Sequence, residues 1–452
     1  PHKIRWLLLL LSSYFFYLYF KPEYGILIFA STFFSYLSAL RMGKAGSKTN
    51  RKFWFAIGLG ADLLLLGTFK YFDFINENLT QLLGFCATSN PIPNLDLILP
   101  IGISFYTFQS LSYTIDVYKR KREAEKHFGY YALYVSFFPQ LVAGPIERSS
   151  HLIPQLKERC GFDIYRIFDG LKLILWGFFK KLVIADTIAV YLDYVFGDLE
   201  NQSSMTLILA MYFFIYQVYC DFSGYSDIAI GSAKVFGINL TLNFNKPFTA
   251  RSYGELWSRW HITLTNWFRE YLYIPLGGNK VSKTRWYFNI IFVFGLMGLW
   301  HGAAWTFVGF GLLHGISLVL LLTTVKYRKA FFRALGISQN SLLHRAIDVF
   351  FVTSLFAVNC IIFRCESLSD YFILWRNVAD FAGGITQLNG ALLAIGLIAT
   401  LEFMQRFQKD GNGNPFQNMS SVTLRFAAYF FLIFSILLLG NQNEDAFIYF
   451  QF

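Results

Sequence analysis

Long apolar runs recur along the chain from Ile4 to Gly440, separated by short polar stretches. Hydrophobic and polar positions do not alternate within these runs, which excludes a membrane β-barrel. The pattern therefore predicts an all-α polytopic membrane protein. Four runs are long enough, or nearly so, for the ~20 apolar residues that a membrane-spanning helix needs: residues 4–20, 53–75, 287–325 and 422–440.

The charged residues between the apolar runs predict how the chain crosses the membrane. Residues 41–52, 117–127 and 326–345 carry clusters of Lys and Arg, whereas residues 76–96 contain only acidic charges and no basic residue. Because Lys and Arg collect in cytoplasmic loops, we expect the three basic loops on the cytoplasmic side. Tracing the chain through these loops predicts about 10–12 transmembrane helices.

Two stretches in the middle of the chain do not fit simple crossings. Residues 128–146 are short and interrupted by Pro139 and Pro145, and residues 245–286 interleave Lys and Arg with Trp and Tyr. Such segments are typical of interfacial or re-entrant helices. Irregular backbone at membrane depth persists only where protein or a water-filled cavity covers it, so we expect an internal cavity. The absence of an internal repeat argues against an inverted-repeat transporter.

The composition agrees with a membrane protein of one domain. Of the 452 residues, 55% are hydrophobic and 15% are charged, whereas ordinary soluble domains carry about 25% charged residues. A soluble enzyme is thereby excluded. No composition shift or polar linker divides the chain, so we predict a single transmembrane domain over residues 1–452. Residue 1 is Pro rather than Met, and we expect that the natural N-terminus is missing.

Several common functions and sites are disfavoured by charge and motif content. The net charge of +11 is explained by cytoplasmic loops rather than by nucleic-acid binding. The chain has no HExxH zinc motif, no GxSxG elbow and no Walker A loop. We expect neither a metal site nor a disulfide, because no CxxC or zinc-ligand spacing joins the five cysteines, Cys86, Cys160, Cys220, Cys360 and Cys365.

Three histidines are considered as candidate catalytic residues. His301 is flanked by apolar sequence on both sides, where an ionisable residue is a functional candidate by default; a buried structural histidine bonded to another helix is the alternative. His261 lies in a polar stretch between Trp257 and Trp267, where an imidazole at the headgroup level is the alternative. His314 would face nearly the opposite side from His301 on a continuous helix, so we expect a structural role for it.

Two acidic residues, Asp221 and Asp227, lie in another apolar run. Carboxylates at membrane depth need partners or water. They fit the wall of a polar cavity, and they equally fit a structural network that pairs with Arg or with backbone groups.

A buried histidine and a basic cytoplasmic rim together suit acyl transfer. A histidine near its intrinsic pKa can take a proton from a hydroxyl group, which can then attack a thioester. Lys and Arg attract the phosphates of coenzyme A or an acidic carrier protein. A tunnel through the membrane would let donor and acceptor arrive from opposite sides.

Five sequence blocks follow one another in a characteristic order: VAGPIER at 142–148, DFSGYSD at 221–227, NFNKPF at 243–248, RWHITL at 259–264 continuing to REYLYIPLGGN at 269–279, and GLWHGA at 298–303. In these blocks the chain resembles the membrane-bound O-acyltransferase family, and within it the branch that O-acetylates alginate; the resemblance covers nearly the whole chain. The teichoic-acid D-alanylation branch is a near relative with the same two histidine positions. The Arg269-Glu270 pair, where many relatives carry Arg-Asp, is a small departure.

The resemblance implies a multi-helix fold around a central tunnel, with His301 as the essential catalytic histidine and His261 as a second catalytic residue that assists or orients it. Near these two histidines we expect a set of substrate-binding residues, namely Trp300, Trp260, Asn266, Arg259, Asp221 and Asp227.

The activity that the resemblance implies is O-acetylation. An acetyl group would pass from a cytoplasmic thioester, acetyl-CoA, across the inner cell membrane to an extracytoplasmic polysaccharide. We expect a soluble extracytoplasmic acetyltransferase as partner, surrounding membrane lipid, no bound cofactor and no nucleic acid. The alternatives are D-alanyl transfer to teichoic acid from a carrier protein, transport of a polar substrate, and a scaffold that recruits soluble enzymes.

Overall fold

The computed structural model of this chain describes residues 2–408, 414–440 and 447. These residues form twenty α-helices with short 3-10 and π-helical segments, and they include no strand. By internal contacts the chain divides into two compact units, residues 1–170 with 229–241 and residues 171–228 with 242–452. The single transmembrane domain stays a prediction. The expectation of a missing N-terminus concerns chain outside the described residues.

The first unit is built from eight helices, and α3 runs on through a π-helical segment (Gly67–Tyr71) into α4. The helices are α1 (His2–Phe20), α2 (Tyr24–Lys44), α3 (Lys48–Leu66), α4 (Phe72–Phe85), α5 (Ile103–Tyr118), α6 (Phe128–Ser136), α7 (Phe138–Leu141) and α8 (Ser149–Lys157).

Helices α2, α3 and α5 pack against one another and form the centre of the first unit. The side chain of Ser47 begins α3 by accepting a hydrogen bond from Asn50 N. Apolar and aromatic side chains such as Ile28, Met42 and Tyr113 are fully buried in the core. Serines of α2 are buried as well, so this core is unusually polar for helices that cross a membrane.

The second unit holds the remaining helices, although α9 and α11 each extend past a unit boundary. A π-helical segment (Phe179–Ala185) joins α9 to α10, and another (Arg269–Tyr273) follows α13. The helices are α9 (Ile164–Phe178), α10 (Asp186–Phe196), α11 (Ser204–Val235), α12 (Tyr253–Arg259), α13 (Ile262–Phe268), α14 (Lys283–His301), α15 (Trp305–Thr323), α16 (Val325–Ala334), α17 (Leu342–Cys360), α18 (Leu368–Ala379), α19 (Leu388–Gln405) and α20 (Val422–Leu439).

Seven helical segments of the described chain have the length and composition to cross a membrane, which confirms an all-α polytopic membrane protein. α14 is not among them, because its first turn carries Lys283 and Arg285. The count of about 10–12 crossings stays a prediction. The seven segments are Tyr24–Lys44, Lys48–Phe85, Ser204–Val235, Trp305–Thr323, Leu342–Phe363, Leu388–Gln405 and Val422–Leu439.

The apolar run 287–325 forms two helices rather than one. α14 ends at His301, and α15 begins at Trp305 after an extended Gly302. The premise of a continuous helix from His301 to His314 is therefore wrong. Hydropathy does not mark the break, because the residues between the helices are Gly and Ala, which are themselves apolar.

The two helices of this hairpin contact each other backbone to backbone. A Cβ atom added at Gly298 would overlap the carbonyl oxygen of Phe307, and one added at Gly311 would overlap that of Phe294. Glycine alone allows so close an approach. The hairpin thereby places the last residue of α14, His301, against the side of α15.

The two irregular stretches of the middle region fold into short helices. In the first unit, residues 128–146 break into α6 and α7, with Pro139 in the first turn of α7, where its missing N–H is tolerated. In the second unit, residues 245–286 contain α12 and α13, which have seven residues each. Trp257 and Trp260 are buried in the second unit, so these aromatic rings contribute to a core.

Candidate active site

His261 and His301 meet inside the second unit. His301 is the last residue of α14, and His261 is the residue before the first turn of α13. Their ring centroids are 6.3 Å apart. Both are buried, with 7% of His301 and 1% of His261 exposed. Two imidazoles forty residues apart in sequence thus form one buried pair.

His301 lies on the wall of a small cavity, with about 20 Å³ of space for a water-sized sphere. Phe310 and Phe363 meet its ring edge-on, at centroid distances of 5.6 and 5.5 Å. Such apolar walls orient the imidazole and exclude water from it, and they leave one face toward the cavity. The cavity is lined by Phe214, Ile215, Val218, Trp260, His301, Phe310, Cys360 and Phe363.

His261 is held in a backbone conformation that few residues adopt. Its φ of 41° and ψ of 54° lie in the left-handed region, which costs roughly 1–3 kcal/mol for a residue with a side chain. Asn243 holds the turn in place. Its carbonyl oxygen accepts from Ile262 N at 2.9 Å, and its Oδ1 accepts from Thr263 Oγ1 at 2.9 Å. Strain kept by surrounding contacts is typical of functional sites.

The ring of His261 is enclosed by aromatic side chains. Phe222 of α11 meets it edge-on at 4.6 Å, and Trp300 lies at 5.9 Å. Burial lowers the pKa of His261 well below its usual range, and the nearby His301 lowers it further. Both effects favour the neutral form of the His261 imidazole.

Of the residues expected to bind substrate, Trp260 and Trp300 are brought to the histidine pair. Trp260 lines the cavity beside His301. The ring of Trp300 lies beside both imidazoles, at 5.1 Å from His301 and 5.9 Å from His261. Their binding of substrate stays a prediction.

Arg259 and Asn266 lie on the helices that flank His261. Arg259 Nη2 pairs with Glu255 Oε1 at 2.7 Å, one turn earlier on α12, and its Nη1 donates to Thr249 Oγ1 at 2.8 Å. Asn266 is half-buried on α13. The observed role of Arg259 is to tie α12 to the preceding turn.

Asp221 and Asp227 are engaged in ion pairs within the second unit. Lys181 Nζ lies 2.9 Å from Asp221 Oδ1 and 2.8 Å from Asp186 Oδ1, and Lys180 Nζ lies 2.7 Å from Asp227 Oδ2. The partners are lysines of the π-helical segment Phe179–Ala185. These pairs fix α11, which carries Phe222 to the ring of His261.

His314 belongs to a separate hydrogen-bonded group behind the cavity. Its Nδ1 is hydrogen-bonded to the hydroxyl of Tyr253, which also accepts from Asn359 Nδ2 at 2.8 Å. The ring of Phe310 lies between His314 and His301, at 4.5 and 5.6 Å. His314 is fully buried and joins α12 to α15 and α17.

Several residues of the site were not singled out from the sequence. Asn243, Phe222, Phe310 and Phe363 surround the two imidazoles, yet each lies tens of residues from at least one of them. Asn243 lies in the NFNKPF block at 243–248, and membership of this motif is the feature of the sequence that marks it. Nothing in the sequence pairs an asparagine at 243 with the turn at 261.

Replacing Asn243 with alanine is expected to lower the kcat of the enzyme by up to about 100-fold. The turn at His261 keeps the bond to the backbone carbonyl of residue 243 but loses the two side-chain bonds with Thr263, and small displacements of reacting groups have effects of this size. The KM for substrate is expected to change little. Steady-state kinetics on the purified chain measures kcat and KM separately. Asn201→Ala is the control, because Asn201 is an exposed asparagine of the same unit. A change in KM alone would contradict this role.

Fold and site together describe a polytopic membrane protein with a buried pair of imidazoles, one of which, His301, lines a cavity. Residues 124–368, more than half of the chain, match the sequence profile of the membrane-bound O-acyltransferase family. The chain belongs to this family, which confirms the expected resemblance, and it is an O-acyltransferase.

Individual relatives support the same family. The chain is 34% identical to a probable alginate O-acetylase of Pseudomonas putida, over 100% of this chain and 95% of the relative. It is 40% identical to a peptidoglycan O-acetyltransferase of Helicobacter pylori, over 69% of this chain and 63% of the relative. A teichoic acid D-alanyltransferase of Streptococcus thermophilus is 29% identical, over 49% of this chain and 56% of the relative.

Proposed function

We propose that this O-acyltransferase takes an acetyl group from a cytoplasmic thioester, acetyl-CoA, and moves it across the inner membrane for O-acetylation of an extracytoplasmic polysaccharide. The observation that carries the proposal is the position of His301, on the wall of a cavity and 6.3 Å from a second buried imidazole. Relatives named as O-acetyl-transferring enzymes match at 34–40% identity, above the 29% of the D-alanyltransferase.

In the proposed reaction His301 is the general base. Its imidazole takes the proton of the acceptor hydroxyl while that oxygen attacks the thioester carbonyl carbon. The carbon–sulfur bond breaks, the new ester bond forms, and the proton passes to the departing thiolate, so that no charge is left behind. His261, whose turn is held by Asn243, assists or orients His301.

The residues around the pair have supporting roles in this proposal. Trp260 and Trp300 bind the acyl donor against their rings. Arg259 and Asn266 set the position of the turn that carries His261. Asp221 and Asp227 act through their ion pairs with Lys181 and Lys180, which hold α11 and hence the substrate cavity in shape.

The sites of donor and acceptor are assigned by charge. The basic loops at residues 41–52, 117–127 and 326–345 would lie in the cytoplasm, where they attract the phosphates of coenzyme A. The acceptor and a soluble extracytoplasmic acetyltransferase partner would then lie on the opposite side. The chain needs no bound cofactor in this scheme.

The proposal is tested with the purified full chain in proteoliposomes. Release of free thiol from acetyl-CoA is measured with an acceptor oligosaccharide present, for the wild type and for His301→Ala. We expect release in the wild type and none in the variant. Consumption of a D-alanyl carrier-protein thioester in place of acetyl-CoA would establish the D-alanyl alternative. Movement of a polar substrate across the bilayer without thiol release would establish a transporter.

A further inference from the structure

The first unit contains a buried carboxyl group that the proposed reaction does not use. Asp62 lies near the middle of the membrane-spanning segment Lys48–Phe85, and it is fully buried. It precedes residues 124–368, which match the family profile. An acidic residue inside a membrane-spanning helix is costly and is therefore a candidate for a function of its own.

Asp62 accepts a hydrogen bond from the hydroxyl group of a serine. Ser31 of α2 donates to Asp62 Oδ1 at 2.6 Å, and the same serine lies 3.4 Å from Ser110 Oγ of α5. Asp62 Oδ2 is buried and has no hydrogen-bond partner among the described residues. The carboxyl group is thus held by one neutral donor on one of its two oxygens.

The groups that face Asp62 offer no positive charge. Tyr106 of α5 and Tyr131 of α6 are within electrostatic reach of it, and both are neutral phenols. Along its own helix the next basic residue is Lys70, eight positions on, whose Nζ bonds to Ser104 Oγ at 3.3 Å. No ion pair of Asp62 with a Lys, Arg or His is found in the described part of the chain.

A carboxylate in such surroundings is strongly disfavoured. An ionised carboxyl group removed from water needs a cation or several hydrogen-bond donors, and otherwise it takes up a proton and becomes neutral. Here one hydroxyl donor is present. A protonated carboxyl group fits, because its neutral form tolerates the apolar surroundings of α2, α3 and α5.

Other buried hydroxyl groups of α2 are already bonded and do not approach Asp62 as donors. Ser35 Oγ donates to Ser31 O at 2.6 Å, and Ser38 Oγ donates to Ser35 O at 2.9 Å. The hydroxyl of Tyr131 donates to Ser35 Oγ at 2.7 Å. Gly58, one turn before Asp62 on α3, lies against Ser38 so closely that a Cβ atom would overlap its Oγ. The helices around Asp62 are therefore closely packed.

We propose that Asp62 is a proton-binding site of the first unit. The ligand is the proton itself, and the site lies outside the acyl-transfer machinery proposed above. Loss of the proton would place an unpaired charge between α2, α3 and α5, so that the packing of these helices depends on proton binding.

Infrared difference spectroscopy of the full chain in lipid tests the protonation. A protonated carboxyl group has a carbonyl-stretch band distinct from those of carboxylates and amides. We expect this band in the wild type at neutral pH and its loss in Asp62→Asn. Asp73→Asn serves as control, because Asp73 accepts hydrogen bonds from Leu95 N and Asp96 N at the edge of the unit. A wild-type spectrum at neutral pH without a band that Asp62→Asn removes would overturn the proposal.

Should Asp62→Asn fail to fold, Ser31→Ala assigns the band instead, because loss of the hydrogen bond to Oδ1 must shift it; an unshifted band would then contradict the assignment.

Discussion

Replacing His301 with alanine is expected to lower the kcat of acyl transfer by about 10²–10⁴-fold, which is the usual contribution of a positioned general base. The imidazole of His301 lines the cavity, with Phe310 and Phe363 against its edges. Alanine has no group that can accept the hydroxyl proton. The KM for the thioester is expected to change much less than kcat, because the lost interaction is made in the transition state.

The matched control for this variant is His344→Ala. His344 lies on α17 of the same unit, where its Nε2 is 3.4 Å from Asp348 Oδ2, and it does not line the cavity. It is expected to keep wild-type kinetics. Both variants are compared by steady-state thiol release and by thermal unfolding in detergent. A folded His301→Ala protein with wild-type turnover would show that another group removes the proton.

The membrane-spanning helices could be predicted from the sequence where an apolar run stands alone. The run 422–440 became α20 (Val422–Leu439) almost residue for residue. The run 287–325 did not, since Gly302–Ala304 between α14 and α15 is as apolar as its surroundings. A hydropathy pattern measures how favourably residues transfer from water into lipid. It therefore does not distinguish a turn of small apolar residues from the helices on either side.

The two histidines could also be predicted, because each lies in an unusual setting along the chain. The sequence does not reveal that the two histidines lie next to each other. Their proximity depends on the close contact of Gly298 with α15 and on the hydrogen bonds of Asn243 to the turn at His261. The same holds for Asp221 and Asp227. Their need for partners was evident, but the lysines that supply it lie forty or more residues earlier, on another helix.

Replacing Lys180 with methionine is expected to lower the free energy of unfolding by about 3–5 kcal/mol, the usual effect of removing one partner from a buried ion pair. Lys180 Nζ lies 2.7 Å from Asp227 Oδ2 and donates to Ser223 Oγ at 2.9 Å. Both charged side chains are almost fully buried. Methionine fills a similar volume, so the loss reports the uncompensated carboxylate and not a cavity.

The double variant Lys180→Met with Asp227→Leu separates this explanation from simple loss of packing. Removing both charges takes away the desolvation cost of the carboxylate, so the double variant is expected to be markedly more stable than Lys180→Met alone. Arg364→Met provides a partly exposed comparison, since Arg364 Nη2 lies 2.7 Å from Asp193 Oδ1 and 64% of the Asp193 side chain is exposed; such pairs contribute about 0–1 kcal/mol. Unfolding is measured by denaturant titration in mixed micelles. Equal losses in Lys180→Met and Arg364→Met would mean that the Lys180–Asp227 pair does not hold α11, and Phe222 with it, against the ring of His261.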